Sequence, residues 1–343
     1  MKVIKKIIAW AMLSLVLQFA GLFLLDSFVF KHSSEFKMKK IEANIDNTKN
    51  INATIPQNAQ DIRISYDGKY LTYYENKVLY IEDTKTGKNT EVKTNDSGEI
   101  LNYKWLSDRN RLVIAEKVKK DGEYKIQVVT HDAKTGNESF VSGVCRYEQK
   151  MEVKKIAVSV LTGVYYIDID KGGMKNTVYR IDINHDITRV ELRSNVLGNI
   201  EVIPHVDRLI YEDKLNNTFY ATSPGKKLNI KSDKQLTLLG IDNEDIIYIG
   251  ELTNDKIVKI IYGTVDEDAS TWKSVDLTQV INENDLFFNS KSEILINDNL
   301  QGIVKNLTTG KETVYDGKLV EIKERFIATV NDGKLQYTSL IEK

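Results

Sequence analysis

Asp83-Thr84-Lys85-Thr86-Gly87-Lys88 is the stretch that decides the fold, because the chain writes it three times. The second copy is Asp132-Ala133-Lys134-Thr135-Gly136-Asn137 and the third Asn306-Leu307-Thr308-Thr309-Gly310-Lys311. An apolar run precedes each turn (Val78 to Ile81, Ile126 to Val129, Ile303-Val304), and a short polar–apolar alternation follows it. The first two glycines stand 49 residues apart and the second and third 174, which is four steps of about 43. Short strands recurring every 40 to 50 residues mark an array of small antiparallel sheets.

Working outward, helical periodicity is nearly absent from Asp61 onward. Runs of four to eight residues rich in Ile, Val, Tyr and Thr alternate with tight turns at Asp67-Gly68, Asp121-Gly122, Asp316-Gly317 and Asp332-Gly333. The runs at 70–74, 111–115, 164–168, 208–211 and 245–249 are apolar on both faces, as inner strands packed between neighbouring sheets must be. Units then fall at 61–95, 99–142, 150–192, 197–231, 235–278, 284–316 and 318–343. The last has only three strands, and Asn52 to Ile55 is the expected donor of the fourth, closing a ring and removing exposed sheet edges. The expected fold class is therefore all-β: a β-propeller of seven four-stranded blades, with six or eight as alternatives, over 51–343.

Ile64-Ser65-Tyr66-Asp67-Gly68-Lys69, followed by an apolar strand, resembles the WD40-like repeat of TolB-type and dipeptidyl-peptidase-IV-type propellers, typically Trp-Ser-Pro-Asp-Gly-Lys. Trp105-Leu106-Ser107-Asp108 is a second copy at a shift of 41. Aspartate is kept in both, tryptophan only in the second, proline in neither, and later units drift. The resemblance implies the fold and no particular activity, since one fold hosts many functions.

The N-terminus is different material. Ile7 to Leu25 is 19 residues without a charge, nearly enough at about 1.5 Å per residue to cross a ~30 Å hydrocarbon core. Lys2, Lys5 and Lys6 precede it, and Lys31, Lys37, Lys39 and Lys40 follow, diluted by Asp26 and Glu35. The expectation is an uncleaved single-span anchor with its short tail in the cytoplasm (1–30), a tether rich in lysine, asparagine and serine (31–50), and the large domain outside the plasma membrane.

Chemistry is sparse. With 48 basic and 49 acidic side chains, the chain lacks the basic excess of a nucleic-acid binder. Cys145 has no intrachain partner and reads as a small buried hydrophobe. No Gly-x-Ser-x-Gly elbow occurs, which argues against a serine peptidase, and no phosphate-binding glycine loop occurs. His32, His131, His185 and His205 are not at metal-ligand spacing, Asp168 and Asp170 fail the EF-hand pattern, and Asp266-Glu267-Asp268 reads as a hairpin tip. Tyr73, Tyr80, Tyr165 and Tyr248 lie in apolar strands and should pack between blades, while Trp272 looks exposed enough to stack on a sugar. The five Asn-x-Ser/Thr sequons, from Asn52 to Asn306, are the number that an asparagine-rich chain throws up by chance.

No catalytic, cofactor or metal residue is expected. The positions singled out are structural: Asp67, Gly68, Gly87, Trp105, Asp108, Gly136 and Gly310. The expected function is a non-catalytic binding or scaffolding module of the bacterial cell envelope, accessory to a secretion, cell-wall or exopolysaccharide machine. Its partners would be the membrane, another envelope protein and a polysaccharide. The alternative is a propeller-borne glycan hydrolase or lyase, which would need two carboxylates gathered on the axis.

Overall fold

A computed structural model describes residues 2–24, 50–173 and 175–340. The chain divides into two units, Met1–Ala43 and Asn44–Lys343. In the first, α1 (Lys2–Leu24) is a single helix of 23 residues. Its apolar side chains from Trp10 to Phe23 are exposed. Among the described residues no helix is long and apolar enough to cross a membrane, so the span expected at Ile7 to Leu25 is not borne out by the structure. Leu25, His32 and the tether up to residue 49 lie outside the described residues.

The second unit is a ring of seven antiparallel meanders, six of four strands and one of three. The blades cover 60–91, 99–146, 152–189, 197–228, 235–281, 286–314 and 318–339. The count is seven, and the alternatives of six and eight fall away. Blade 1 sets the pattern with β1 (Gln60–Ile64), β2 (Tyr70–Glu75), β3 (Val78–Asp83) and β4 (Asn89–Glu91). Residues 52–55 complete blade 7 as expected. Thr54 bridges Lys334, the Ile55 N–H donates to the Gly333 carbonyl at 2.7 Å, and the Leu335 N–H donates to Ala53 at 3.2 Å. The same segment is tied to blade 1, where Thr84 accepts from the Asn52 N–H at 2.8 Å.

The repeated turn sits between the third and fourth strands of blades 1, 2 and 6, so the four-step spacing is four blades. In the first copy the Asp83 carboxylate accepts from the N–H groups of Lys85 and Thr86 and from the Thr86 hydroxyl, at 3.1, 2.8 and 3.0 Å. Asp132 repeats all three bonds, and Asn306 repeats the two backbone ones. Gly87, Gly136 and Gly310 follow at φ of 69°, 72° and 73°, the left-handed region that glycine enters without steric cost.

No single core exists among the described residues. Seven apolar clusters lie in the seven seams between blades, one per seam. Each blade therefore needs two apolar faces: in blade 4, Leu209 and Tyr211 face blade 3 while Ile210 and Phe219 face blade 5. The runs read as inner strands are the second strands of blades 1 to 5, and the strands that meet around the axis are the first ones. Tyr73–Tyr80, Tyr211–Tyr220 and Tyr248–Tyr262 stack as cross-strand pairs with ring centroids 5.5 to 5.7 Å apart. These tyrosines pack blades, as expected. Trp272 corrects the sequence reading: it is buried in the seam between blades 4 and 5, and its indole N–H donates to the Thr264 carbonyl at 3.2 Å. A tryptophan beside an acidic hairpin looks solvent-facing in sequence, but Gly263 leaves it a slot, where an added Cβ would meet the ring at 2.3 Å.

Candidate functional site

The first strands are unlike the apolar second ones. They alternate: Ile62-Arg63-Ile64, Leu101-Asn102-Tyr103-Lys104-Trp105, Asn199-Ile200-Glu201-Val202, Val320-Glu321-Ile322. Burial of the apolar members in the seams turns the polar members toward the axis. The pairing of first and second strands is also broken by a bulge in blades 1 to 5 and 7. Bulges re-aim side chains, and here they fall at or beside the axial polar positions.

A chain of polar contacts results, passing from blade to blade. The Glu321 carboxylate of blade 7 accepts from the Ile64 N–H of blade 1 at 2.9 Å. Arg63 donates to the Tyr103 carbonyl of blade 2 at 2.6 Å, its guanidinium 4.5 Å from the Tyr103 ring centroid. The Asn102 amide donates to Val153 of blade 3 at 2.8 Å. Lys155 pairs with Glu201 of blade 4 at 2.6 Å, and the Asn199 amide donates to Leu238 of blade 5 at 2.9 Å. Blade 6 interrupts the chain with aromatic side chains: Phe287 packs against the seam of blades 6 and 7 and borders the axial space, and Phe288 stacks on Tyr248 of blade 5 with centroids 3.9 Å apart.

These walls enclose an axial cavity of about 600 Å³, to which every blade but the fourth contributes lining residues. Its cationic side chains are Arg63, Lys104, Lys154, Lys155 and Lys323. Four are matched: Arg63 with Asp61 at 2.9 Å, Lys154 with Glu152 at 2.5 Å, Lys155 with Glu201, and Lys323 with Glu321 at 2.5 Å. The Lys104 ammonium has no hydrogen bond or ion pair among the described residues. Burial pushes its ammonium below the usual lysine range, Lys155, Arg63 and Lys323 push the same way, and Glu201 offsets only part. Glu201 is held below the usual carboxylate range: burial opposes this, but Lys155 and Lys104 outweigh it.

The positions singled out in the sequence lie away from this cavity or frame it. Asp67 is buried and holds the turn between β1 and β2, accepting from Ser65 and the Lys69 N–H, pairing with the Lys69 ammonium at 3.0 Å, and accepting from Asn110 of blade 2 at 3.1 Å. Gly68, at φ 76°, offers its carbonyl to Tyr337 of blade 7 at 2.9 Å. Trp105 donates across the seam to Thr72 at 3.1 Å and borders the cavity. Asp108 departs from its counterpart: it is exposed and clasps its neighbour Arg109 at 2.6 Å. His131 is buried, His205 bonds Asp245 at 3.0 Å, and no group that could hold a metal ion occurs among the described residues. Sequence reasoning missed the axial set altogether. The only trace of it was the alternation just described.

Asp168 belongs to a seam rather than to a calcium loop. The Asn176 amide donates to both its oxygens at 2.9 and 3.1 Å, and the Asn176 carbonyl oxygen accepts from the Leu197 N–H of blade 4 at 3.3 Å. Burial raises its carboxyl to about 6. An unfolded aspartate loses its proton near 4, so the ionised group costs stability above pH 6, and that cost vanishes below about pH 4. Asp168→Asn is therefore expected to gain on the order of 1–2 kcal/mol over wild type at pH 7 and nothing near pH 4. Urea midpoints at the two pH values measure this, and a gain independent of pH would refute it.

No family model matches the chain, and no curated protein matches it. Solved structures do share its fold. A chain from a structural and mechanistic study of two prolyl endopeptidases is 12% identical at a TM-score of 0.53 and covers 84% of this chain. This chain spans 43% of that chain's length. A chain of the mitotic checkpoint complex is likewise 12% identical, at a TM-score of 0.52, with 84% of this chain and 93% of that one covered. Likeness at such low identity concerns the fold alone, and the fold it supports is a seven-bladed β-propeller.

Proposed function

We propose that the protein is a non-catalytic binding or scaffolding module, tethered by its N-terminal helix to a bacterial plasma membrane with the propeller outside the cytoplasm. The observation that carries the non-catalytic part is the state of the axial carboxylates. Glycoside cleavage needs one carboxyl held protonated as a general acid and a second one free. Glu201 is bonded to Lys155 and held ionised, Glu321 is bonded to Lys323 and to the Ile64 N–H, and Glu324, which also lines the cavity, accepts from the Ser290 N–H and hydroxyl at 2.6 Å each. All three carboxylates serve as struts between blades. The tethering part is supported by the uncharged run from Ile7 and by the exposed apolar side chains of α1.

In this reading a rigid ring presents its faces to another envelope component, such as a secretion, cell-wall or exopolysaccharide assembly. Mild detergent extraction followed by affinity capture of the full chain is expected to bring down a membrane or envelope protein, and the chain should stay in the pellet when membranes are washed with high salt. A chain released by salt, or one extracted alone and monomeric, defeats the proposal.

A further inference from the structure

We propose that the axial cavity binds an acidic sugar, its carboxylate on Lys104 and its ring against Phe287. This rests on the binding-module reading and names a ligand for it.

Three features of the cavity lead there. The first is the unmatched charge. Of five lining cations, four already have carboxylate partners, and Lys104 stands without one among the described residues. A lysine held among Arg63, Lys155 and Lys323, with Glu201 offsetting only part of their charge, calls for a further counter-charge, and an anion entering the cavity would supply it while forming charge-assisted hydrogen bonds. Second, blade 6, where the polar chain around the axis breaks, lends the cavity the apolar side chains of Phe287, Phe288 and Leu295 beside Asn289. An inorganic anion has no use for that wall, whereas the C–H face of a sugar ring does. Third, Asn102 and Asn243 line the same space. The Asn102 amide N–H is spent on Val153 and Lys154, which leaves its oxygen as an acceptor, and the Asn243 amide can donate and accept. Hydroxyl groups match such side chains. A volume of about 600 Å³ lies within the 300–1,000 Å³ of small-molecule sites.

The test uses the full chain in detergent micelles and isothermal titration with four probes: glucuronate, a glucuronate-containing disaccharide, glucose and inorganic phosphate. The two acidic sugars are expected to bind; glucose, which lacks the charge-assisted contact, and phosphate, which lacks a ring face for the apolar wall, are each expected to bind at least about ten-fold more weakly. Lys104→Met, which keeps the stem and removes the charge, should weaken acidic-sugar binding by a similar factor without lowering the melting temperature. Lys134→Met, in an exposed turn, should change neither. Equal binding of glucose, equal binding of phosphate, or unaltered binding in a folded Lys104→Met protein would overturn the assignment. If no sugar binds but a partner protein is still captured from membranes, the sugar site is wrong and the module reading stands. If acidic sugars bind and no protein is captured, the sugar site holds and the scaffolding role is withdrawn.

Discussion

Replacing Ile55 with Asp is expected to cost about 3–5 kcal/mol and to open the ring at its closing seam. Residues 52–55 alternate: Ala53 and Ile55 are buried, Asn52 and Thr54 are exposed. Ile55 packs in the cluster of blades 7 and 1 beside Ile64, Phe326 and Leu335. An aspartate there would lose the packing of a whole aliphatic side chain and place a carboxylate among apolar groups. The position matters beyond its own contacts because it belongs to the one strand that joins the two ends of the array. A ring of blades gains its cooperativity from closure, since each blade is otherwise stabilised only by its neighbours. Thr54→Gln, on the exposed side of the same strand, is expected to stay within about 0.5 kcal/mol of wild type. Urea denaturation followed by tyrosine and tryptophan fluorescence separates the two, and an unchanged midpoint for Ile55→Asp would mean that closure does not run through this strand.

The second large effect is expected at Gly198, where alanine should destabilise by about 2–4 kcal/mol. Gly198 is the second residue of the first strand of blade 4, within its bulge, and a Cβ there would meet the Glu212 carboxyl carbon at 2.4 Å. Glu212 cannot move aside freely. It is buried, and its carboxylate accepts from the N–H groups of Asn199 and Leu238 at 3.3 Å each and from the Thr237 hydroxyl at 3.4 Å. The glycine is therefore a matter of space beside a fixed carboxylate. Blade 2 repeats the device, where a Cβ at Gly98 would meet a Glu116 oxygen at 2.2 Å. The steric origin makes the two positions non-additive: in the Gly198→Ala/Glu212→Ala double variant, the glycine substitution should cost at least about 1 kcal/mol less than in the wild-type background. Strict additivity would show that the alanine acts through the backbone and not through Glu212.

Much of the architecture was legible one blade at a time. The triple turn, the period-2 runs and the Asp-Gly hairpins are decided by residues within a few positions of one another, so seven blades and the donated strand at 52–55 could be counted from the chain. Trp272 was misread because its surroundings are set by another element: Gly263 makes its slot. Of the axial site, only the alternation of the first strands was legible. Arg63, Lys104, Lys155, Glu201, Phe287 and Glu321 each sit in an unremarkable strand, tens of residues from the next, and no local pattern says which cation is left without a partner. Ring closure sets that, by bringing the first strands of seven blades around one axis, and the bulges decide which of their side chains meet. The sequence alone determines the repeat because hydrogen-bonded turns and alternating faces are local physics. Only the tertiary structure decides the cavity, because charge balance there is summed over blades that the chain visits far apart.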